Sequence, residues 1–74
     1  NKISVYPNPT SDFVVLLSNG NGNVTITDLT GKVVYNGIVN QNQQVINVNN
    51  LNKGVYIIQY TSNQNTFTKK LTIE

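Results

Sequence analysis

The stretch VTITDLTGKVV, residues 24–34, alternates apolar and polar side chains on both sides of a turn. Val24 and Ile26 point to one side of an extended chain, and the threonines that follow each of them point to the other. A period of two residues is typical of a β-strand with one buried face. Asp28 and Gly31 lie between the two apolar runs, and both are turn-forming residues. The stretch therefore predicts a β-hairpin with Val24 and Ile26 in the core.

The same alternation continues along the chain, and no segment shows the 3.6-residue period of an amphipathic helix. Clusters rich in Asn, Gly, Ser and Gln separate the apolar runs. We predict seven strands, at Ile3–Tyr6, Phe13–Ser18, Asn23–Leu29, Lys32–Val39, Gln44–Val48, Gly54–Thr61 and Thr66–Ile73. Short strands at this spacing predict an all-β chain, arranged as a sandwich of two antiparallel sheets.

The alternation within each strand also predicts the core. Its expected members are Val24, Ile26, Ile46, Val48, Leu51, Tyr56, Ile58 and Tyr60. The run Phe13–Leu17 is apolar at every position, so alternation does not fix its register. The pair Asn36-Gly37 fits two interpretations, a two-residue hairpin turn or a bulge within one long strand.

Two prolines interrupt the pattern close to the start, in the segment VYPNP at residues 5–9. Proline has a fixed φ and no N–H group to donate, so Pro7 and Pro9 are excluded from a paired central strand. A residue that precedes proline favours extended backbone. We predict a stiff connector in which the two prolines let the first strand cross between the sheets.

The composition excludes several classes of function. The 74 residues contain no cysteine and no histidine, and the three acidic residues fall in separate segments. We therefore predict no catalytic residues, no metal site and no cofactor. Five lysines without arginine give a net charge of +2, which is too weak for a nucleic-acid-binding surface. No apolar run approaches the roughly 20 residues of a membrane-spanning helix, so we predict no direct membrane insertion.

The loop NGNGN, residues 19–23, offers amide oxygens at alternate positions but no carboxylate. Calcium prefers several carboxylates among its ligands, so a calcium loop is the weaker interpretation. We predict a hairpin loop in which glycine adopts a positive φ.

Four short motifs occur in order along the chain: Tyr6-Pro7-Asn8-Pro9, Asp28…Gly31-Lys32, Leu51…Gly54-Val55-Tyr56 and Lys69-Lys70. Together they resemble the type A C-terminal sorting domain of the type IX secretion system, which is found on proteins exported by Bacteroidota. The resemblance covers essentially the whole chain. It implies a seven-stranded, immunoglobulin-like β-sandwich, and it implies that residues 1–74 are a single domain excised from the end of a larger secreted protein.

The resemblance implies a transport signal and no enzymatic activity. The expected partners are the type IX secretion machinery, a cell-surface sortase and an upstream cargo domain. The domain is expected to act as a monomer, to be recognised in the periplasm and to direct its cargo across the outer membrane, so that the cargo is secreted or reaches the cell surface. A sortase is then expected to remove the domain. Candidate recognition residues on the matching motifs are Pro7, Pro9, Gly31, Lys32, Gly54, Tyr56, Lys69 and Lys70.

The two lysines of the last strand allow two interpretations. Lys69 has the same parity as Phe67 and Leu71, so its ammonium group must extend to the sandwich margin beside the outward-facing Lys70. Adjacent cations discourage uncontrolled strand pairing. Alternatively, they form a patch that a receptor recognises by electrostatic steering and strand addition.

Other functional classes remain open at this stage. One is a carbohydrate-binding or adhesive β-sandwich module of a secreted enzyme, with the tyrosines as a stacking platform, and another is a structural spacer. The tyrosines in question are Tyr6, Tyr35, Tyr56 and Tyr60. Because Tyr56 and Tyr60 share the parity of the predicted core, packing is the favoured role for them.

Overall fold

Seven β-strands in two sheets make up the regular structure of the computed structural model, which describes residues 3–18, 20–63 and 65–74. The strands are β1 (Ser4–Tyr6), β2 (Phe13–Leu17), β3 (Gly22–Asp28), β4 (Val33–Val39), β5 (Gln43–Asn47), β6 (Gly54–Ser62) and β7 (Asn65–Ile73). Each end lies within one residue of its predicted position. The described residues contain no helix, so the all-β prediction is confirmed.

Sheet A has the strand order β1-β2-β5, and sheet B has the order β4-β3-β6-β7. All neighbouring strands are antiparallel. At the centre of sheet B, Ile26 pairs with Tyr35 on one side and Ile58 on the other. The predicted hairpin at residues 24–34 is confirmed, because β3 and β4 are neighbours joined by the Asp28 turn.

One hydrophobic cluster contains buried side chains from both sheets: Val5, Val14, Leu16, Val24, Ile26, Val39, Ile46, Val48, Tyr56, Ile58, Tyr60, Leu71 and Ile73. Every predicted core residue except Leu51 belongs to it. Leu51 is half-buried and packs against the cluster from the turn before β6. In the β2 run that alternation leaves undecided, Val14 and Leu16 face this core.

The prediction that the prolines carry the first strand between the sheets is wrong, because β1 and β2 are neighbours within sheet A. After Tyr6 the chain leaves sheet A, meets β7 of sheet B at Thr10 and returns to sheet A at Phe13. The peptide bonds before Pro7 and Pro9 are both cis. The prolines therefore lie in a loop that contacts sheet B, and the next strand, β2, belongs to sheet A like β1.

Of the two interpretations of Asn36-Gly37, the hairpin turn is wrong; the single long strand is confirmed, but its bulge is not at this pair. Both residues lie in regular register within β4, opposite β3, and the irregularity lies instead at Val34, which is skipped between the pairs of Tyr35 and Val33. Because of this bulge, the consecutive side chains Val34 and Tyr35 both pack against the core. The Tyr35 ring lies over Gly37, and a Cβ there would lie 2.8 Å from the Tyr35 hydroxyl, so a larger residue would require the ring to shift.

The loop at residues 19–23 is not a hairpin loop, because it joins β2 of sheet A to β3 of sheet B. The expected positive φ is present at Gly20, with a value of 109°. Asn19 lies outside the described residues. The loop is anchored by Tyr60, whose hydroxyl donates a hydrogen bond of 3.0 Å to the Gly20 carbonyl.

Candidate recognition surface

Residues 7–12, here called the connector, contain both prolines. The Asn8 side chain links the connector to the last strand, β7. The Asn8 Nδ2 group donates to the Lys70 carbonyl over 2.9 Å, and the Asn8 Oδ1 atom accepts from the Thr72 N–H over 3.2 Å. The amide of asparagine places an N–H donor and a carbonyl acceptor side by side, as a strand backbone does. Asn8 therefore satisfies the edge of β7 as a strand residue would.

The backbone of Thr10 continues this pairing toward the end of the chain. Its N–H donates to the Thr72 carbonyl over 3.0 Å, and its carbonyl accepts from the Glu74 N–H over 2.8 Å. Thr10 and Ile73 thus form an isolated parallel bridge. The Thr10 hydroxyl donates to the Phe13 carbonyl and so fixes the return toward β2. Asn8 and Thr10 together cover the edge of β7 from Lys70 to Glu74.

A shallow pocket of about 230 Å³ lies where the connector and the end of β7 meet. It is lined by Pro7, Pro9, Thr10, Ser11, Asp12, Phe13 and Glu74. Both prolines of the opening motif are exposed and contribute to its wall.

Lys69 and Lys70 lie near the middle of β7 and are both exposed. Lys69 is paired in register with the buried Ile58, so its stem starts on the core side and its ammonium group reaches solvent. Lys70 is paired with Ile57, on the opposite face. This placement matches the prediction from parity.

Gly31 and Lys32 form part of the turn between β3 and β4. The Oδ1 atom of Asp28 accepts from the Thr30 hydroxyl over 2.6 Å, from the Thr30 N–H over 2.9 Å and from the Lys32 N–H over 3.0 Å. These hydrogen bonds, led by that of the Thr30 hydroxyl, lower the pKa of Asp28, and the Lys32 charge contributes in the same direction. Gly31 has a φ of 92°, a conformation that side chains disfavour.

Gly54 and Tyr56 lie at the start of β6, beside the end of β7. Gly54 pairs with Ile73 and has a φ of 152°. The Tyr56 ring is buried in the core, and its hydroxyl donates to the Asn52 carbonyl over 2.6 Å. The accessible part of this motif is thus its backbone turn together with the exposed Val55 side chain, and Tyr56 holds that turn against the core.

The structure brings together only some of the candidate recognition residues. Pro7, Pro9 and Lys70 are joined through Asn8, and Gly54 pairs with the last residue of β7. Gly31 and Lys32 lie at the same end of sheet B but beside its other edge strand, β4.

Asn8 and Thr10, which make the contacts between the connector and β7, are not among the candidate recognition residues. No local pattern predicts the Asn8 contacts, because their partners in β7 lie 62 and 64 residues further along the chain. The tyrosines do not form the stacking platform considered above. Tyr56 and Tyr60 are buried, and Tyr6 lies on the other sheet.

The described part of the chain contains no cluster of three or more side chains of the types that hold metal ions. Among the same residues, no helix is long and apolar enough to cross a membrane.

Comparison with known proteins gives two findings. The sequence profile of the family described as "Secretion system C-terminal sorting domain" matches residues 4–74. The chain is also 39% identical over 66 residues to the ulvan lyase NLR42 of Nonlabens ulvanivorans. That match covers 85% of this chain but only 12% of the lyase. The profile match confirms the resemblance indicated by the motifs, and with it the predicted destination at the cell surface or outside the cell.

Proposed function

We propose, from the premise that this chain belongs to the family of secretion-system C-terminal sorting domains, that it is the export address of a larger secreted protein. The observation that carries this proposal is the profile match over residues 4–74, which includes all seven strands. In this role the domain is recognised in the periplasm by the type IX machinery, which moves the attached cargo across the outer membrane. The domain contributes binding and no catalysis.

The position of the chain within its protein belongs to the same proposal. Residues 1–74 form one domain at the C-terminus of a cargo, and the cargo is an enzyme in the manner of the lyase. The support is that the chain matches only 12% of the lyase, so most of that relative lies outside the shared segment. We further propose that a cell-surface sortase removes the domain after export.

The architecture is best described as an immunoglobulin-like sandwich that acts as a monomer. Its support is the single core cluster, to which strands of both sheets contribute. A sandwich presents two outer sheet faces and several edges to a receptor. The edge of β7 and the adjoining connector form the recognition surface, because this is where Pro7, Pro9 and Lys70 meet.

The proposal is tested with a reporter protein that remains in the periplasm on its own. Fused to this domain and expressed in a type IX-competent host, the reporter is expected in the medium or on the cell surface. Deletion of residues 70–74 removes the hydrogen-bonded end of β7 and the core residues Leu71 and Ile73, so it should leave the reporter in the periplasm. Retention of the reporter carrying the intact domain would overturn the proposal.

Cleavage has a separate readout in the mass of the exported reporter. Removal by a sortase should shorten the fusion by about the mass of the domain, which is 8.2 kDa. An exported reporter of full fusion mass would refute the cleavage step without touching the sorting function.

A further inference from the structure

Sheet A has apolar side chains on both of its faces. Val14 and Leu16 face the core, yet Val15 between them is only 7% exposed although it lies outside the core cluster. Val15 is paired with Tyr6 of β1 and Val45 of β5, so the three side chains form one row across the outer face. The β2 strand is apolar at every position because it has apolar side chains on both faces of sheet A. For the same reason, alternation in the sequence does not fix its register.

The side chains that cover Val15 are themselves in water. Tyr6 is 44% exposed, Phe13 is 47% exposed and Val45 is 60% exposed. An antiparallel sheet with one solvated face normally has polar residues on that face, whereas a continuous apolar run is typical of a strand covered on both sides. The centre of the outer face of sheet A is therefore apolar, as in a covered sheet, with Ser4, Gln43 and Asn47 at its ends.

The outer face of sheet B is different. Its central row consists of Thr25, Gln59 and Thr68, which are paired in register across three strands. These side chains are polar and suit a solvated face. The margins of this face do expose Val33, Ile38 and Val55. Among the described residues, however, Val15 is the one buried apolar side chain outside the core cluster, which favours sheet A as the side that a partner covers.

The pocket beside the connector continues this apolar face at one end. Phe13 belongs to both, and Pro7 follows directly after Tyr6. Two carboxylate side chains, Asp12 and Glu74, line the pocket, and none of the four lysines that the structure describes does. On a domain with a net charge of +2, this pocket is a local acidic feature. Its Phe13 ring and proline walls suit the stem of a long basic side chain, whose charged end the carboxylates attract.

We propose that the outer face of sheet A and the adjoining pocket form one docking surface for a protein that presents an apolar side chain beside a lysine or arginine. The carboxylates of Asp12 and Glu74 attract the basic side chain of the partner, and the exposed side chains of Tyr6 and Val45 contact its apolar side chain. The inference rests on the proposed function, because the partner is a component of the machinery that meets the folded domain during export.

The apolar half of the surface is tested by Phe13→Thr and Val45→Thr in the reporter fusion. Threonine is β-branched and suits a strand, so both variants should fold, with melting temperatures near that of the parent. Exported reporter should fall about tenfold for each, because exposed aromatic and apolar anchors dominate interface energies. The matched control is Ile38→Thr on β4, where the side chain is 66% exposed but lies on sheet B. It should be exported like the parent.

The acidic half is tested by Asp12→Asn combined with Glu74→Gln. Export should fall several-fold, whereas Gln59→Lys, which also makes the domain more positive but lies on the outer face of sheet B, should leave export unchanged.

Three results would count against the inference. Parental export of both threonine variants would overturn the docking surface. If the threonine variants lose export but the double variant of Asp12 and Glu74 is exported like the parent, the proposal that the partner presents a lysine or arginine is overturned. If the parent fusion itself stays in the periplasm, the proposed function fails and the docking surface fails with it, so the two failures are distinguishable.

Discussion

At the residue scale, the Asp28 carboxylate closes the turn between β3 and β4 by accepting three hydrogen bonds. The Thr30 hydroxyl is the largest cause of the lowered pKa of Asp28. Because the folded-state pKa lies below the unfolded value of about 3.9, the ionised carboxylate stabilises the fold above that value. This contribution is lost as the pH falls through the folded-state pKa.

Thr30→Val should therefore raise the pKa of Asp28 toward its ordinary value, because the variant lacks the donating hydroxyl. The pKa is measured by NMR titration of the Asp28 side-chain carboxyl carbon. The melting temperature should also fall at pH 7, and this difference from the parent should shrink in acid. Thr25→Val, on β3 and away from the turn, is the control and should leave the Asp28 titration unchanged. An identical Asp28 titration in the parent and Thr30→Val would contradict this account of the turn.

Gly31 has a structural role in the same turn, one that its φ of 92° requires. No other atom lies within 4 Å of a Cβ placed there, so the effect of a side chain is conformational and not a clash. Gly31→Ala should lower the free energy of unfolding by about 1–2 kcal/mol. Chemical denaturation measures this, and an alanine variant as stable as the parent would show that the turn adopts another conformation in solution.

At the element scale, the connector acts as a partial eighth strand along the end of β7. The Asn8 side chain and the Thr10 backbone together supply four hydrogen bonds to this edge. The exposed edge of a sheet invites pairing with other chains, and covering it is one way in which proteins prevent this. The connector thus holds the segment from Lys70 to Glu74 in a fixed conformation.

Asn8→Ala removes two of these hydrogen bonds and should lower stability by roughly 1–2 kcal/mol, discounted for its exposed position. The sharper readout is hydrogen exchange, in which the Thr72 amide should lose protection because its N–H donates a hydrogen bond to Asn8 Oδ1. The amide of Ile58, at the centre of sheet B, serves as the internal control. Unchanged exchange at Thr72 would show that the Asn8 contact does not hold β7.

The lysines of β7 give a second prediction at this scale. Lys69→Gln combined with Lys70→Gln should leave the fold intact, because both ammonium groups are in solvent. If the pair is part of the recognition surface, export of the reporter should fall at least several-fold. Full export of the folded double variant would refute the lysine hypothesis and leave the sorting function standing.

The elements themselves were predictable, because alternation sets strand positions and glycine and asparagine mark the turns. Three features were not. The path of the proline segment depends on a contact between Asn8 and Lys70, which are 62 residues apart and leave no local pattern. The bulge at Val34 interrupts the two-residue alternation, because it lets the consecutive side chains Val34 and Tyr35 both pack against the core. The register of β2 was undecided because that strand is apolar on both faces.

At the scale of the whole molecule, stability comes from one core shared by two sheets, without disulfides. The candidate recognition residues are distributed around that core. Some of them, such as Tyr56, are buried and shape the surface from below, while Pro7, Pro9 and Lys70 lie on it. We therefore expect the secretion machinery to recognise the folded domain.

The most direct test of the sorting function compares the same fusion protein in two host strains. The reporter carrying residues 1–74 is expressed in a type IX-competent strain and in an isogenic strain that lacks the outer-membrane translocon, and the reporter is quantified in the periplasm, on the surface and in the medium. The account predicts surface or medium localisation in the competent strain and periplasmic retention in the other. The same distribution in both strains would contradict it.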